Sequence, residues 1–210
     1  MQAEKLHPNL RKYWDGSMLH HPLVVMSSAN VKEVNRCYGL KKAEIAAAFR
    51  EQDWEGFVQL HERPYRVTAL KTLLKKRVVQ FSQLWPVIGW VWYDTEFPNG
   101  EADFWRRVWS SADPLKRSAM DPDDLVKFDQ LPEEVTVWRG VDCEEATEGM
   151  SWTLERDVGV YFANRFRPST PILAQGRAKK ENIAAYFNAR KEAEVVILPE
   201  HVGEMYWQEL

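Results

Sequence analysis

The chain has 210 residues, enough for one sizeable domain or two small ones with a buried core. Its 45% apolar and 28% charged residues are typical of a soluble globular protein, and a formal net charge of −3 gives no sign of a nucleic-acid or membrane binder. Two cysteines exclude a disulfide framework, and neither they nor the five histidines show metal-ligand spacing.

Helical signals dominate the first 130 residues. Ser27 or Ser28 is predicted to cap a helix that Gly39 ends, because serine favours the N-cap and glycine the C-terminus. A second helix is predicted over residues 41–52, where alanine, isoleucine and phenylalanine recur at helical spacing. The sequence therefore predicts two separate helices at this point.

Further helices are predicted up to residue 130. Asp53 predicts the N-cap of a short helix, and Pro64 an early position in the next one. Residues 81–97 are apolar nearly all round, which predicts a central buried helix with Pro86 in its first turn. Two more helices are predicted over residues 102–110 and 122–128.

After residue 131 the apolar period changes from that of helices to that of strands. Strands are predicted over residues 135–138, 150–153 and 195–198, and a fourth starting at 171. A helix is predicted over 154–166, and a short helix or structured loop over 181–187. The predicted fold class is α+β, with a mainly helical region 1–130 and a small mixed region 131–210 in one continuous globule.

Three short motifs stand in a fixed order in the last third. Arg139 ends one predicted strand, Ser151-Trp152-Thr153 opens a second, and Glu192-Ala193-Glu194 opens a third. A cation, two hydroxyls and two carboxylates on neighbouring strands can hold a dinucleotide and break a glycosidic bond. In this order the chain resembles the ADP-ribosyltransferases, in the branch whose signature is Arg, Ser-x-Ser/Thr and Glu/Gln-x-Glu.

The resemblance implies a split, mostly antiparallel β-sheet core that binds NAD, here as a substrate. Arg139 would hold the dinucleotide through its phosphates or ribose, because a guanidinium matches phosphate oxygens bidentately. Ser151 would orient the catalytic Glu194, and Thr153 would complete the triplet, with Trp152 directed into the core. The alternative for this set is a surface salt bridge and an ordinary half-polar strand.

Two carboxylates are implied to carry the chemistry. Glu194 would stabilise positive charge on the ribose ring, in a transition state like that of glycoside hydrolysis. Glu192, two residues earlier on an extended segment, is expected to face the same side and to orient an acceptor arginine. The alternative is a pair of solvated carboxylates on an edge strand.

Four further residues match less specific parts of the family pattern. Phe162 lies near the position of the loop that covers nicotinamide, with a structural role as the alternative. Tyr186, Phe187 and Arg190 precede the Glu-x-Glu motif, where the family recognises its acceptor. Core packing is the alternative for the two aromatic side chains.

The sequence thus predicts a mono-ADP-ribosyltransferase whose favoured acceptor is a protein arginine. One alternative modifies a nucleic acid or hydrolyses NAD; another is a catalytically idle binding module of the same fold. Residues 131–210 carry 9 Lys/Arg against 14 Asp/Glu, which disfavours nucleic acid, whereas a basic run over 71–77 favours it.

Location and partners follow from the same sequence. The first eight residues lack the apolar core of a signal peptide, and no stretch approaches the roughly 18 apolar residues of a membrane span. We therefore expect a cytoplasmic protein with no membrane partner and no metal. A toxin-like, phage or bacterial effector of this kind would have a host target or an antitoxin as its partner.

Overall fold

A computed structural model describes residues 3–27, 30–75, 79, 81–95 and 98–210. It combines a helical N-terminal region with a β-sheet in the C-terminal half. The chain forms two compact units, residues 1–95 and 96–210. In the part of the chain so described, no helix has the length and apolar character needed to cross a membrane.

The first unit is built from helices and one β-hairpin. Strands β1 (Met18–His21) and β2 (Val24–Ser27) form an antiparallel hairpin that the sequence did not predict. The helices are α1 (Pro8–Arg11), α2 (Val31–Glu51), α3 (Trp54–Gln59), α4 (Arg66–Lys75) and α5 (Phe81–Asp94).

Helix α2 is one continuous helix where the sequence predicted two. Its N-cap is Asn30, whose Oδ1 accepts a hydrogen bond from the backbone N–H of Lys32 at 2.9 Å. Ser27 lies in β2, and Ser28 is outside the described residues. Gly39 sits inside the helix because a glycine costs only about 1 kcal/mol there, less than the burial of the helix's apolar face contributes.

Gly39→Ala is therefore expected to stabilise the protein by about 0.5–1 kcal/mol. Gly39 is exposed, and no atom lies within 4 Å of an added Cβ. Thermal unfolding followed by circular dichroism measures the effect. The matched control is Gly56→Ala, whose Cβ would stand 2.1 Å from Oδ2 of Asp53 and displace a cap, so its melting temperature should fall. A lower melting temperature for Gly39→Ala would contradict the prediction.

Two other helix predictions have different outcomes. Asp53 caps α3 as predicted, since its Oδ1 accepts from the backbone N–H of Gly56 at 2.9 Å. Pro86 is the sixth residue of α5, so its predicted place in the first turn is wrong. The Pro86 ring lies on the exposed side of the helix. Because proline has no backbone N–H, the helix lacks one hydrogen bond there, and burial of the opposite face offsets that loss. Helix α5 ends at Asp94 and Thr95 lies beyond it, so it is shorter than predicted; Glu96 and Phe97 are outside the described residues.

The second unit is an antiparallel sheet with three helices. The helices are α6 (Ala102–Trp109), α7 (Pro122–Asp129) and α8 (Arg156–Asn164). The six strands are β3 (Glu134–Val141), β4 (Ser151–Thr153), β5 (Ile172–Lys179), β6 (Ile183–Phe187), β7 (Glu194–Ile197) and β8 (Gly203–Glu209). They lie in the order β6-β7-β4-β3-β5-β8. The predicted boundary near residue 130 coincides with the change from helices to strands along the chain. The division into compact units falls earlier, between residues 95 and 96, so α6 and α7 belong to the same unit as the sheet.

Strands β6 and β8 correct the sequence prediction. The helix or loop predicted over 181–187 is a short 3-10 turn followed by β6, which pairs with β7. Pairing with a buried neighbour outweighs the helical preference of Ala184 and Ala185. Strand β8 is exposed along its whole length and therefore lacks the apolar alternation that reveals a strand in sequence.

Helix α8 packs directly against β3 through two glycines. A Cβ added to Gly140 would stand 2.0 Å from the carbonyl oxygen of Gly159 and 2.2 Å from the nitrogen of Ala163. A Cβ on Gly159 would meet the side chains of Leu173 and Trp138 at 2.9 and 3.1 Å. The backbones of α8 and β3 are therefore in close contact at Gly140 and Gly159. Strand β3 also carries Arg139.

Candidate active site

The strand order brings the three sequence motifs together. Strand β4 lies between β3 and β7, with Trp138 opposite Thr153 and Thr153 opposite Glu194. Opposed residues of an antiparallel pair lie on one face, and so do residues two apart on one strand. Ser151, Thr153, Glu194 and Trp138 therefore share a face of the sheet.

Glu194 forms the centre of the candidate site. Its Oε1 accepts a hydrogen bond from the Ser151 hydroxyl at 2.6 Å, and the residue is only 6% exposed. A short hydrogen bond to a carboxylate is among the stronger kinds and fixes its direction. The contact predicted between these two residues from the sequence is present.

Arg139 is engaged with the backbone of its own unit. Its Nε donates to the carbonyl oxygen of Ala146 at 2.9 Å, and its Nη1 donates to that of Ser151 at 2.6 Å. The guanidinium lies against Gly149, where an added Cβ would stand 2.1 Å from Nη2. Burial lowers the pKa of Arg139 to about 10, and the charge of Glu194 opposes that shift, so the side chain stays protonated near neutral pH.

The phosphate-binding role predicted for Arg139 stays a prediction, and the side chain also has a structural role. Its Nε binds the carbonyl of Ala146 in the segment before β4, and its Nη1 binds the carbonyl of Ser151, the first residue of β4. Arg139 therefore holds the strand that carries Ser151, and its charge also interacts directly with that of Glu194.

Thr153 and Glu192 meet at the turn into β7. The Thr153 hydroxyl donates to the backbone carbonyl of Glu192 at 2.6 Å. The Glu192 carboxylate pairs with Nε of Arg190 at 3.2 Å, and both side chains are partly exposed. The segment is not extended as the sequence predicted, because Ala193 has a positive φ of 42°.

The aromatic side chains predicted for acceptor recognition lie inside the protein. Tyr186 and Phe187 belong to β6 and are 6% and 2% exposed. Their placement fits the alternative of core packing and gives an acceptor no ring surface to stack on. Arg190, by contrast, is exposed beside Glu192.

Exposed aromatic rings and an arginine lie on the last turn of α8 and just after it. Phe162 is half-buried, with its ring centroid 5.4 Å from that of Tyr161. Tyr161 and Phe166 are both more than half exposed, and the Arg165 guanidinium lies 5.2 Å from the Phe166 ring. Trp152 instead points into the core, donating to the Gly149 carbonyl at 2.9 Å. Flat rings with a nearby cation suit a nucleotide. The sequence had placed Tyr161 and Phe166 on the apolar side of the predicted helix, whereas the structure exposes both.

Trp138 is a second residue whose place in the site the sequence did not reveal. Its indole N–H is buried and has no acceptor among the residues that the structure describes. Trp138 shares a face of the sheet with Ser151 and Glu194, which makes this N–H a candidate donor to a ribose oxygen.

Comparison with known proteins adds no relative. No protein-family model, curated protein or solved structure matches the chain. Within the described part of the chain, no group of three or more His, Cys, Asp or Glu side chains is arranged to hold a metal ion.

Proposed function

We propose that the protein is a mono-ADP-ribosyltransferase that uses NAD as substrate and modifies a macromolecule, with a protein arginine as the favoured acceptor. The observation that carries the proposal is the 2.6 Å hydrogen bond from Ser151 to Glu194, two residues 43 positions apart that adjacent strands bring together. A buried carboxylate held in one direction is what stabilisation of a developing cation requires.

The reaction breaks the bond between nicotinamide and C1′ of the ribose. Nicotinamide leaves with the bonding electron pair, and positive charge develops on the ribose ring. The Glu194 carboxylate stabilises that charge, while Ser151 keeps it aimed. An acceptor nitrogen then bonds to C1′ and loses a proton, for which Glu192 is the proposed recipient.

Binding of NAD is supported by polar groups on the same face of the sheet as Glu194 and by exposed rings near the end of α8. The Ser151 oxygen, whose hydrogen goes to Glu194, can accept from a ribose hydroxyl. The Trp138 indole N–H, on the same face of the sheet, can donate to a ribose or phosphate oxygen. The exposed rings of Tyr161 and Phe166 suit a base or nicotinamide, with Arg165 adding positive charge. Arg139 supports the site from behind by fixing the backbone of Ser151.

A guanidinium acceptor is favoured by the partner that Glu192 already has. Its carboxylate holds the guanidinium of Arg190 at 3.2 Å in a partly exposed ion pair. Pairs of this kind contribute at most about 1 kcal/mol, so an incoming arginine can replace Arg190. The unit of residues 96–210 carries 22 acidic and 14 basic residues, a balance that attracts cationic proteins and disfavours nucleic acid.

Incubation of the purified protein with NAD labelled in its adenylate part tests the proposal. Nicotinamide release is measured in buffer, with agmatine as a small guanidino acceptor, and with cell lysate. Release that rises with agmatine, and label in lysate that protease removes, would support transfer to protein arginine. Label that nuclease removes would point to nucleic acid, and release in buffer alone to NAD hydrolysis. No release under any condition would leave the catalytically idle binding module.

A further inference from the structure

The loop that joins β6 to β7 has an unusual backbone. Residues 188–193 carry Glu192, and the residues on either side of it, Lys191 and Ala193, have positive φ values of 58° and 42°. Residues other than glycine seldom adopt this conformation, because their Cβ crowds the backbone. Such strain persists where surrounding contacts impose it, and it is concentrated at functional sites.

Asn188 supplies those contacts. Its side-chain Oδ1 accepts from the backbone N–H of Ala193 at 3.0 Å, and its carbonyl oxygen accepts from that of Lys191 at 2.8 Å. Its own N–H donates at 3.1 Å to Oδ1 of Asp124, a residue of α7 that is only 6% exposed. Asn188 therefore ties both strained residues to each other and to a buried side chain outside the loop.

Glu192 and Glu194 are held by different parts of the structure. Glu194 belongs to β7, where pairing with Thr153 on β4 and the Ser151 hydroxyl fix it. Glu192 lies in the loop. Its backbone carbonyl accepts a hydrogen bond from the Thr153 hydroxyl, and the N–H of the next residue, Ala193, donates to the Asn188 side chain. A change at Asn188 can therefore move the Glu192 carboxylate while the Glu194 carboxylate stays in place.

We propose that Asn188 is a positioning residue that fixes Glu192 relative to Glu194 and thereby sets how much ADP-ribose passes to an acceptor instead of water. The inference rests on the proposed function, since it assigns Glu192 to the acceptor step. Cleavage of NAD needs Glu194, whereas capture of the ribosyl group by a guanidinium needs Glu192 at the right distance. Loss of Asn188 should change the second step far more than the first.

Asn188→Ala tests this separation. Nicotinamide release is expected to stay within about twofold of wild type, while the fraction transferred to agmatine falls about tenfold, because small displacements of a positioned group have large effects on rate. Asn188→Asp keeps an acceptor oxygen for the Ala193 N–H and should recover most of the transferred fraction. A general loss of structure would lower release and transfer together.

A second measurement requires no NAD. Amide hydrogen exchange in the wild type should show protection of the Ala193 N–H, and Asn188→Ala should remove it while Val195 and Val196 in β7 remain protected. Unchanged protection of Ala193, or an unchanged transferred fraction in an active Asn188→Ala variant, would overturn the role of Asn188 alone. A wild-type protein that releases no nicotinamide would overturn both this role and the proposed function.

Discussion

Glu194→Gln is expected to lower nicotinamide release about 10²–10³-fold, the usual effect of removing one preorganised electrostatic group from an active site. Glutamine has the size of glutamate, and its Oε1 can still accept the Ser151 hydrogen bond seen at 2.6 Å. The change removes the negative charge that the proposed function places beside C1′, while the hydrogen bond from Ser151 that positions the side chain can persist. Release is measured by chromatography of nicotinamide at saturating NAD.

Glu192→Gln is the matched control for this change. It removes the same charge two residues away, from a carboxylate that is partly exposed and paired with Arg190. We expect it to retain nicotinamide release and to lose transfer to agmatine. Circular dichroism spectra and melting temperatures of both variants should resemble those of the wild type. Equal release from Glu194→Gln and wild type would remove Glu194 from the reaction and with it the proposed function.

Arg139→Met is expected to destabilise the protein by about 2–4 kcal/mol, because each carbonyl left without its donor costs about 1–3 kcal/mol. The two carbonyls are those of Ala146 and Ser151, at 2.9 and 2.6 Å from the guanidinium. The strand carrying Ser151 would lose its support, so activity should also fall through kcat. Chemical denaturation gives the free energy of unfolding, and NAD titration separates kcat from KM.

Arg139→Lys distinguishes the two roles considered for this residue. Lysine keeps the positive charge but lacks the planar fork that reaches two carbonyls in different directions. If Arg139 supports the backbone, the lysine variant should lie between wild type and Arg139→Met in stability. A variant with wild-type stability and a raised KM for NAD would instead indicate direct contact with the dinucleotide.

The sequence predicted β3, β4, β5 and β7, the strands whose apolar residues alternate or cluster, and missed β6 and β8. Strands β3, β4 and β7 are recognisable because their inward residues are buried and β-branched or aromatic. Strand β8 has no buried residue, and β6 contains two alanines that favour a helix in isolation. Both exist through pairing with a neighbour, which a single segment does not reveal.

The same limit applies to the candidate site. Ser151 and Glu194 were found because their residue types and order suit one reaction, and their contact is present. The direction of the Arg139 side chain and the burial of Tyr186 and Phe187 depend on which neighbours surround them. The contacts of Asn188 could not be predicted from the sequence, since its partners Ala193 and Asp124 lie 5 and 64 positions away.

The glycine contact between α8 and β3 restricts how this protein can adapt to a ligand. Sliding the helix along the strand would bring side chains into a space that excludes even a methyl group, because a Cβ at Gly140 would already stand 2.0 Å from the Gly159 carbonyl. Such a sliding motion is therefore disfavoured. If NAD binds as proposed, adjustment to its base would fall to the residues after Asn164, where the helix ends and Arg167 has a positive φ of 51°.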